Sequence, residues 1–246
     1  MLEQLSAWFE GVKAEFILNF VEKNRWKMLV TGLENTLIIT FFALLIGMAI
    51  GVVIAVVRTT RDQTRQGKRG VGSALLAVAD AICRIYTTVI RGTPVVVQLM
   101  IMYFIIFASS DNGVMIAIVA FGLNSGAYVS EIFRGGILAV DKGQMEAGRS
   151  LGLNYLQTML HVIAPQVLKN VLPTLANEFI VLIKETSVAG YVAVMDLTFA
   201  GNRIRGATYS AFMPLIAVAL IYLVLVMFLT WLVGKLERRL RQGDNR

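Results

Sequence analysis

Two stretches of this chain stay uncharged for longer than a bilayer is thick. Residues 35–57 run for 23 positions and residues 207–234 for 28 without Asp, Glu, Lys or Arg. About 20 apolar residues of helix suffice to cross about 30 Å of hydrocarbon. A soluble domain of 246 residues has room for a substantial core, but uncharged helices of this length are foreign to one. Composition agrees: 57% of the residues are apolar and 16% are charged, against about 25% charged in ordinary soluble domains. The mean hydropathy is +0.68. The sequence predicts an all-α integral membrane protein.

The hydropathy pattern predicts five transmembrane helices, near 33–57, 93–109, 114–138, 168–194 and 209–233. The second is placed after Pro94, which lacks an amide proton and clashes with the preceding turn. The preceding helical stretch, with Asp80, Arg84 and Arg91, is set near the cytoplasmic boundary or in the protein interior. In the third, the first 17 residues are uncharged, and Glu131 and Arg134 follow three residues apart on one face, close enough to pair. The fourth carries Glu178, Lys184 and Glu185, which are costly in lipid and call for a protein partner or a wet cavity. Pro173 is expected to kink this helix near its start, and Pro214 to sit in the first turns of the fifth. The expected organisation is an amphipathic segment at 1–28, a transmembrane body at 29–236 containing a connector at 141–165, and a basic tail at 237–246.

Charge placement orients these elements. The connector 58–69 has five positive charges and one negative, the tail from Lys235 five and two, and residues 1–28 four of each. Cytoplasmic segments are enriched in Lys and Arg, so the first connector and the C terminus are expected inside and the N terminus outside, with an odd number of crossings. The net charge of +7 therefore reads as membrane orientation, with no nucleic-acid partner. The start of the chain has no basic region followed by an apolar one, so no cleavable leader is expected. Leu2, Leu5, Trp8, Phe9, Val12, Phe16 and Phe20 recur at helical spacing. They suit a helix at the outer membrane interface or one packed on the other spans, and the pattern leaves both open.

Chemistry-bearing residues are sparse. Cys83 is the single cysteine and His161 the single histidine; neither has companions for a disulfide or a metal, and both are read as packing or surface residues. The stretch QGKRG places Arg69 where a phosphate loop needs a hydroxyl and lacks the glycine spacing, so no nucleotide site is expected. Catalytic residues and bound cofactors are expected to be absent.

The polar stretch EAGRSLGLNYLQTMLHVIAPQ, residues 146–166, interrupts the greasy pattern. Residues 145–151 suit a short helix, Gly152 suits a left-handed stop, and Asn154 can cap a second helix with Gln157 at its third position. Tyr155, Met159 and Val162 then recur on one side. Such a helix-turn-helix offers a rigid surface to a cytoplasmic partner.

This stretch resembles the cytoplasmic EAA loop of the membrane subunits of bacterial ATP-binding-cassette importers. Glu146, Ala147, Gly152 and Pro165 match that pattern, while Gly148 replaces its second Ala, Val162 its usual Ile and Ala164 its usual Leu. In a helix, Gly for Ala costs up to about 1 kcal/mol. IRGTPVVVQL, SGAYVSEIFRGGI and IKETSVAG, in that order, resemble segments of polar-amino-acid permeases, and the likeness extends over residues 31–236. The resemblance implies a permease working as a dimer in the bacterial inner or cytoplasmic membrane; a homodimer is favoured, with a related but nonidentical permease as the alternative partner. It further implies two cytoplasmic ATPase subunits that bind the ATP and Mg, and an extracytoplasmic amino-acid-binding protein. The contact with the ATPase would fall on Glu146, Ala147, Gly148, Arg149, Ser150, Leu151, Gly152 and Asn154.

An amino acid in a membrane needs groups complementary to its carboxylate and its ammonium. Gln98, Asn124, Ser125, Glu178, Lys184, Glu185, Thr186 and Ser187 are the candidates for a substrate path. Each has a plainer reading: helix-to-helix contact for Glu178, internal pairing for Lys184, and local carbonyl bonding for Thr186 and Ser187. Glu131 and Arg134 form a gating pair or a structural one. Gly47 and Gly51 permit close helix packing, and Gly135 and Gly136 either soften a helix end or let the connector approach. Two other classes remain: an ion-coupled transporter with Glu131, Glu178 and Asp196 as relays, and a membrane scaffold without transport.

Overall fold

The computed structural model describes residues 1–64 and 70–242. The last residues of the basic connector and of the tail lie outside the described residues. The described residues form helices in the order α1 (Leu2–Phe16), α2 (Trp26–Thr64), α3 (Val71–Gly92), α4 (Val95–Ile101), α5 (Gly113–Leu138), α6 (Lys142–Ser150), α7 (Tyr155–Thr158), α8 (Ala164–Glu185), α9 (Leu197–Thr208) and α10 (Phe212–Gln242).

Helices α2 and α5 run parallel and form the spine. Their contact depends on glycines: a Cβ at Gly47 would stand 2.8 Å from Ser125 Oγ, and one at Gly51 would stand 2.6 Å from Val129 Cγ1. On the facing helix, a Cβ at Gly122 would meet Ile46 at 2.8 Å. The backbones therefore approach as small-residue membrane seams do. Around them Ile39, Ala43, Leu99, Ile116, Phe121 and Leu182 make a buried apolar core.

Helix α8 runs antiparallel to α5. Gly136 admits Val171 so closely that a Cβ there would be 2.3 Å from Val171 Cγ2, whereas Gly135 faces open space. One turn-rich end of the molecule gathers the starts of α2 and α10 with α9, through Leu29, Leu197, Ala200, Ile204 and Val218. Because α2 and α10 begin there, their far ends lie together at the opposite end.

Four helices among the described residues are long and apolar enough to cross a membrane: Trp26–Asp62, Val71–Gly92, Gly113–Leu138 and Phe212–Leu240. The expected five are thereby corrected to four. The apolar stretch after Pro94 makes only α4 and a π-helical turn, Met102–Ile106, a shorter apolar helix. The long apolar helix is α3, whose Asp80 and Arg84 pair with each other at 2.9 Å and so disguise it as a boundary element. The expected crossing at 168–194 ends as an α-helix at Glu185 and continues as a 3-10 turn, Thr186–Val192. Of its charged side chains Glu178 is met by Ser125 of α5, while Lys184 stays exposed.

Helix α1 places no apolar face on the others: Leu5, Trp8, Phe9 and Phe16 are all more than half exposed. What is anchored is its junction with α2, a sharp turn in which Lys23 and Asn24 adopt positive φ of 51° and 53°. Buried Asn19 accepts from Thr208 Oγ1 at 2.7 Å, and buried Arg25 donates to the Leu18 carbonyl.

Candidate functional site

The connector after α5 folds as a helix-turn-helix. Asp141 caps α6, its Oδ1 accepting from the Gly143 amide at 2.6 Å. The helix ends in a six-to-one backbone bond: the Leu153 amide donates to the Gly148 carbonyl at 3.1 Å and the Gly152 amide to the Arg149 carbonyl at 3.0 Å. That closure needs the left-handed backbone of Gly152, φ +83°, which costs glycine little. Asn154 then opens α7 with a reciprocal cap: its Oδ1 accepts from the Gln157 amide at 2.9 Å, and Gln157 Oε1 accepts from the Asn154 amide at 2.9 Å.

Gly148 is where the two short helices meet. It is buried, and a Cβ there would lie 2.4 Å from Thr158 Cγ2, so the missing methyl sets the packing of α6 on α7. The rest of the expected contact set, Glu146, Ala147, Arg149, Ser150, Leu151, Gly152 and Asn154, is exposed, with Leu151 at 82%. Tyr155, Leu156 and Leu160 add exposed apolar surface to the same unit. A cleft of about 810 Å³ separates the unit from the ends of α2 and α5, walled by Asp62 and Arg134 on one side and by Glu146, Arg149 and Tyr155 on the other.

Glu131 and Arg134 do pair, at 3.7 Å, but as part of a longer chain of charges. Arg58 is hydrogen-bonded to Glu131; Arg134 reaches Asp62 at 3.6 Å; Asp62 reaches Arg84 at 3.7 Å; and Arg84 holds Asp80. The chain joins α2, α3 and α5 at the end nearest the helix-turn-helix. Sequence reading pairs only Glu131 with Arg134 among its six members; the i, i+4 spacing of Arg58 with Asp62 and of Asp80 with Arg84 is the signal for the rest. Arg58 Nε, Arg134 Nε and Asp80 Oδ1 are buried without a hydrogen-bond partner among the described residues. Half-exposed pairs of this kind contribute only about 0–1 kcal/mol, so the outer members serve placement more than stability.

Halfway along α5 sit two polar clusters. Asn124 Nδ2 donates to Gln98 Oε1 at 2.9 Å, and Gln98 Nε2 donates to the Ile90 and Thr93 carbonyls at 2.8 and 3.1 Å. Gln98 thus stitches the break between α3 and α4 to α5. Ser125 Oγ donates to Glu178 Oε1 at 3.0 Å, linking α5 to α8. Asn124, Ser125 and Thr186 are buried, Gln98, Glu178, Glu185 and Ser187 partly so, and Lys184 is exposed. Thr186 Oγ1 is engaged with the Ile183 carbonyl at 2.8 Å, the local role open to it. The expected path residues therefore divide between two helix-to-helix bonds and the end of α8.

The suggested relay does not assemble. Asp196 caps α9, accepting from the Thr198 and Phe199 amides at 2.8 and 3.2 Å, beside Gly32 at the start of α2. Glu131 lies beside Arg58, roughly 40 Å away along that helix. No group of His, Cys, Asp and Glu able to hold a metal occurs among the described residues.

Residues 70–242 match the family model of the binding-protein-dependent transport system inner membrane component. The chain is 37% identical over 219 residues to the arginine transport system permease protein ArtQ of Bacillus subtilis (strain 168), covering 88% of this chain and 94% of that one. It is 35% identical over 218 residues to the glutamine transport system permease protein GlnP of Escherichia coli (strain K12), covering 87% and 93%. A crystal structure of an amino acid ABC transporter with histidines superposes with a TM-score of 0.77 at 36% identity, covering 89% of this chain and 98% of the other. The inward facing MetNI methionine ABC transporter shares the fold, with a TM-score of 0.72 at 23% identity, covering 89% and 98%.

Matches of this extent, on a bundle carrying an exposed helix-turn-helix, define the class as membrane permeases of ATP-driven importers. The chain belongs to the family of binding-protein-dependent transport system inner membrane components, and its relatives there include amino-acid permeases. It is a multi-pass inner-membrane subunit that works with a separate ATPase, to which the ATP and Mg belong, and with a binding protein.

Proposed function

We propose that this chain forms the translocation path for a polar or basic amino acid and that residues 141–165 receive the stroke of the ATPase. The observation that carries the reading is the exposed face of α6 and its turn, Glu146 to Asn154, held rigid by three terminal caps. The relatives' arginine and glutamine cargo supports the substrate class. Two copies assemble, each seating one of two ATPases, so that the partly buried Glu178 and Glu185 face a shared wet route in place of lipid. Glu131 and Arg134 act within the charge chain as a lock at the cytoplasmic end.

The N terminus lies outside and the C terminus inside. Besides the four long apolar helices, α8 carries the chain back through the bundle, antiparallel to α5 and bonded to it through Glu178 and Ser125, so that α10 ends on the side opposite the start of α2. Support comes from Lys235, Arg238 and Arg239 in the last turns of α10 and from the basic connector after α2, both of the charge type enriched in the cytoplasm. Helix α1 lies along the outer interface, with Trp8, Phe9 and Phe16 toward lipid.

Reconstitution of the permease with its ATPase and binding protein tests the reading. Labelled arginine, lysine, histidine and glutamine are offered to vesicles containing ATP. Uptake of at least one that requires ATP is expected, and uptake of none overturns the cargo assignment. Glu146→Lys is expected to lower uptake at least about fivefold by weakening coupling without reducing membrane insertion; unchanged uptake and ATPase association would remove Glu146 from the contact.

A further inference from the structure

We infer that Asp62 is a positioning residue for transport, tying the cleft behind the coupling unit to helix α3. Its two carboxylate oxygens serve different helices: Oδ2 lies 3.6 Å from Arg134 of α5 and Oδ1 lies 3.7 Å from Arg84 of α3. It also stands between two clefts. With Arg134, Glu146 and Arg149 it walls the large one against the coupling unit; with Arg61, Asp80 and Arg84 it walls a smaller one of about 300 Å³ against α3. Movement of the coupling unit changes the large cleft, and Asp62 on its wall grips α3.

Helix α3 is built to respond. Leu75, Val78, Ile82, Ile85 and Val89 are each more than half exposed, so little apolar packing within the chain restrains it. The side-chain bonds from α3 to its neighbours are polar: Arg61 with Ser73 at 3.1 Å, Asp62 with Arg84, and the Tyr86 hydroxyl donating to the Leu123 carbonyl. Its far end breaks at Gly92, with Thr93 and Pro94 extended, and beyond the break Gln98 is bonded to Asn124 at the middle of α5. An element with few buried contacts and a break at its end can turn as a rigid body. Through Asp62, a displacement at the coupling cleft becomes a displacement at the polar centre.

This inference rests on the proposed coupling role of residues 141–165. Asp62→Asn and Arg84→Gln permeases, each reconstituted with the ATPase and binding protein, are compared for labelled arginine or glutamine moved per ATP hydrolysed. Both variants are expected to lower that ratio about tenfold, a coupling loss of ordinary size. Asp62→Glu is expected to restore it, and the double variant to be no worse than either single one. A purely structural role would lower assembly while leaving the ratio intact. Ratios equal to that of the unsubstituted complex, or additive losses in the double variant, overturn the assignment. Should Asp62→Asn fail to assemble, Arg84→Gln decides alone, because that side chain is half exposed. An unsubstituted complex that moves none of arginine, lysine, histidine and glutamine with ATP refutes the functional reading instead.

Discussion

Asp196 shows how one carboxylate can hold an element and carry a pH dependence. It is fully buried while capping α9, and burial pushes its pKa from 3.8 up to about 6 against the pull of the Thr198 and Phe199 amides. The folded state thus holds the proton more tightly than the unfolded chain. Its contribution to stability is complete below about pH 4 and is lost as pH rises through about 6. Thermal midpoints in detergent between pH 4 and 7 are expected to fall more steeply for the native protein than for Asp196→Asn, which keeps the capping oxygen and cannot titrate. Parallel curves would show that the carboxyl titrates alike in both states. Gln98 teaches the complementary lesson. It reads as a path residue by type, yet its amide is committed to the Ile90 and Thr93 carbonyls and to Asn124.

At the scale of elements, the helix-turn-helix of α6 and α7 depends on one missing methyl. In an isolated helix, Gly148→Ala would gain up to about 1 kcal/mol of propensity. Here the new Cβ would stand 2.4 Å from Thr158 Cγ2, and overpacking of that kind costs about 1–3 kcal/mol, so the clash wins. Gly148→Ala is expected to lower the thermal midpoint and the association with the ATPase. Thr158→Ala in the same chain is expected to recover part of both, giving less than additive losses in a double-mutant cycle. Strict additivity would mean that the two sites do not touch. The seam of α2 and α5 follows the same rule, since Gly47 and Gly51 leave room for Ser125 and Val129.

The whole molecule wears its apolar surface outward. Val224, Met227 and Phe228 of α10 and Ile105 beyond α4 are all more than half exposed, as a lipid-facing surface permits and water does not. Trp26 with Lys27, and Trp231 with Lys235 at 3.7 Å, mark the two ends of the bundle, where aromatic and basic side chains meet headgroups. Cysteine substitutions at Ser109 and Ser150 in a Cys83→Ser background test the orientation. A membrane-impermeant maleimide is expected to label position 109 on intact cells and position 150 only after permeabilisation. The reverse pattern would invert the assigned sides.

The sequence by itself determined the solvent of this protein and the shape of its coupling unit. Uncharged runs longer than a bilayer leave no aqueous fold open, and the stop at Gly152 and the cap at Asn154 are local chemistry, decided within a few residues of chain. It did not determine which long helices meet lipid. Asp80 and Arg84 give α3 the look of a boundary element unless they are paired, and the charges of α8 call for a partner without naming it: Ser125 of α5 meets Glu178, and Lys184 stays exposed. Only the tertiary structure decided those points, together with the commitment of Gln98 and the junction at Asp62. The cost of a polar side chain in a membrane depends on the partner it meets, and that partner sits on another helix, dozens of residues away.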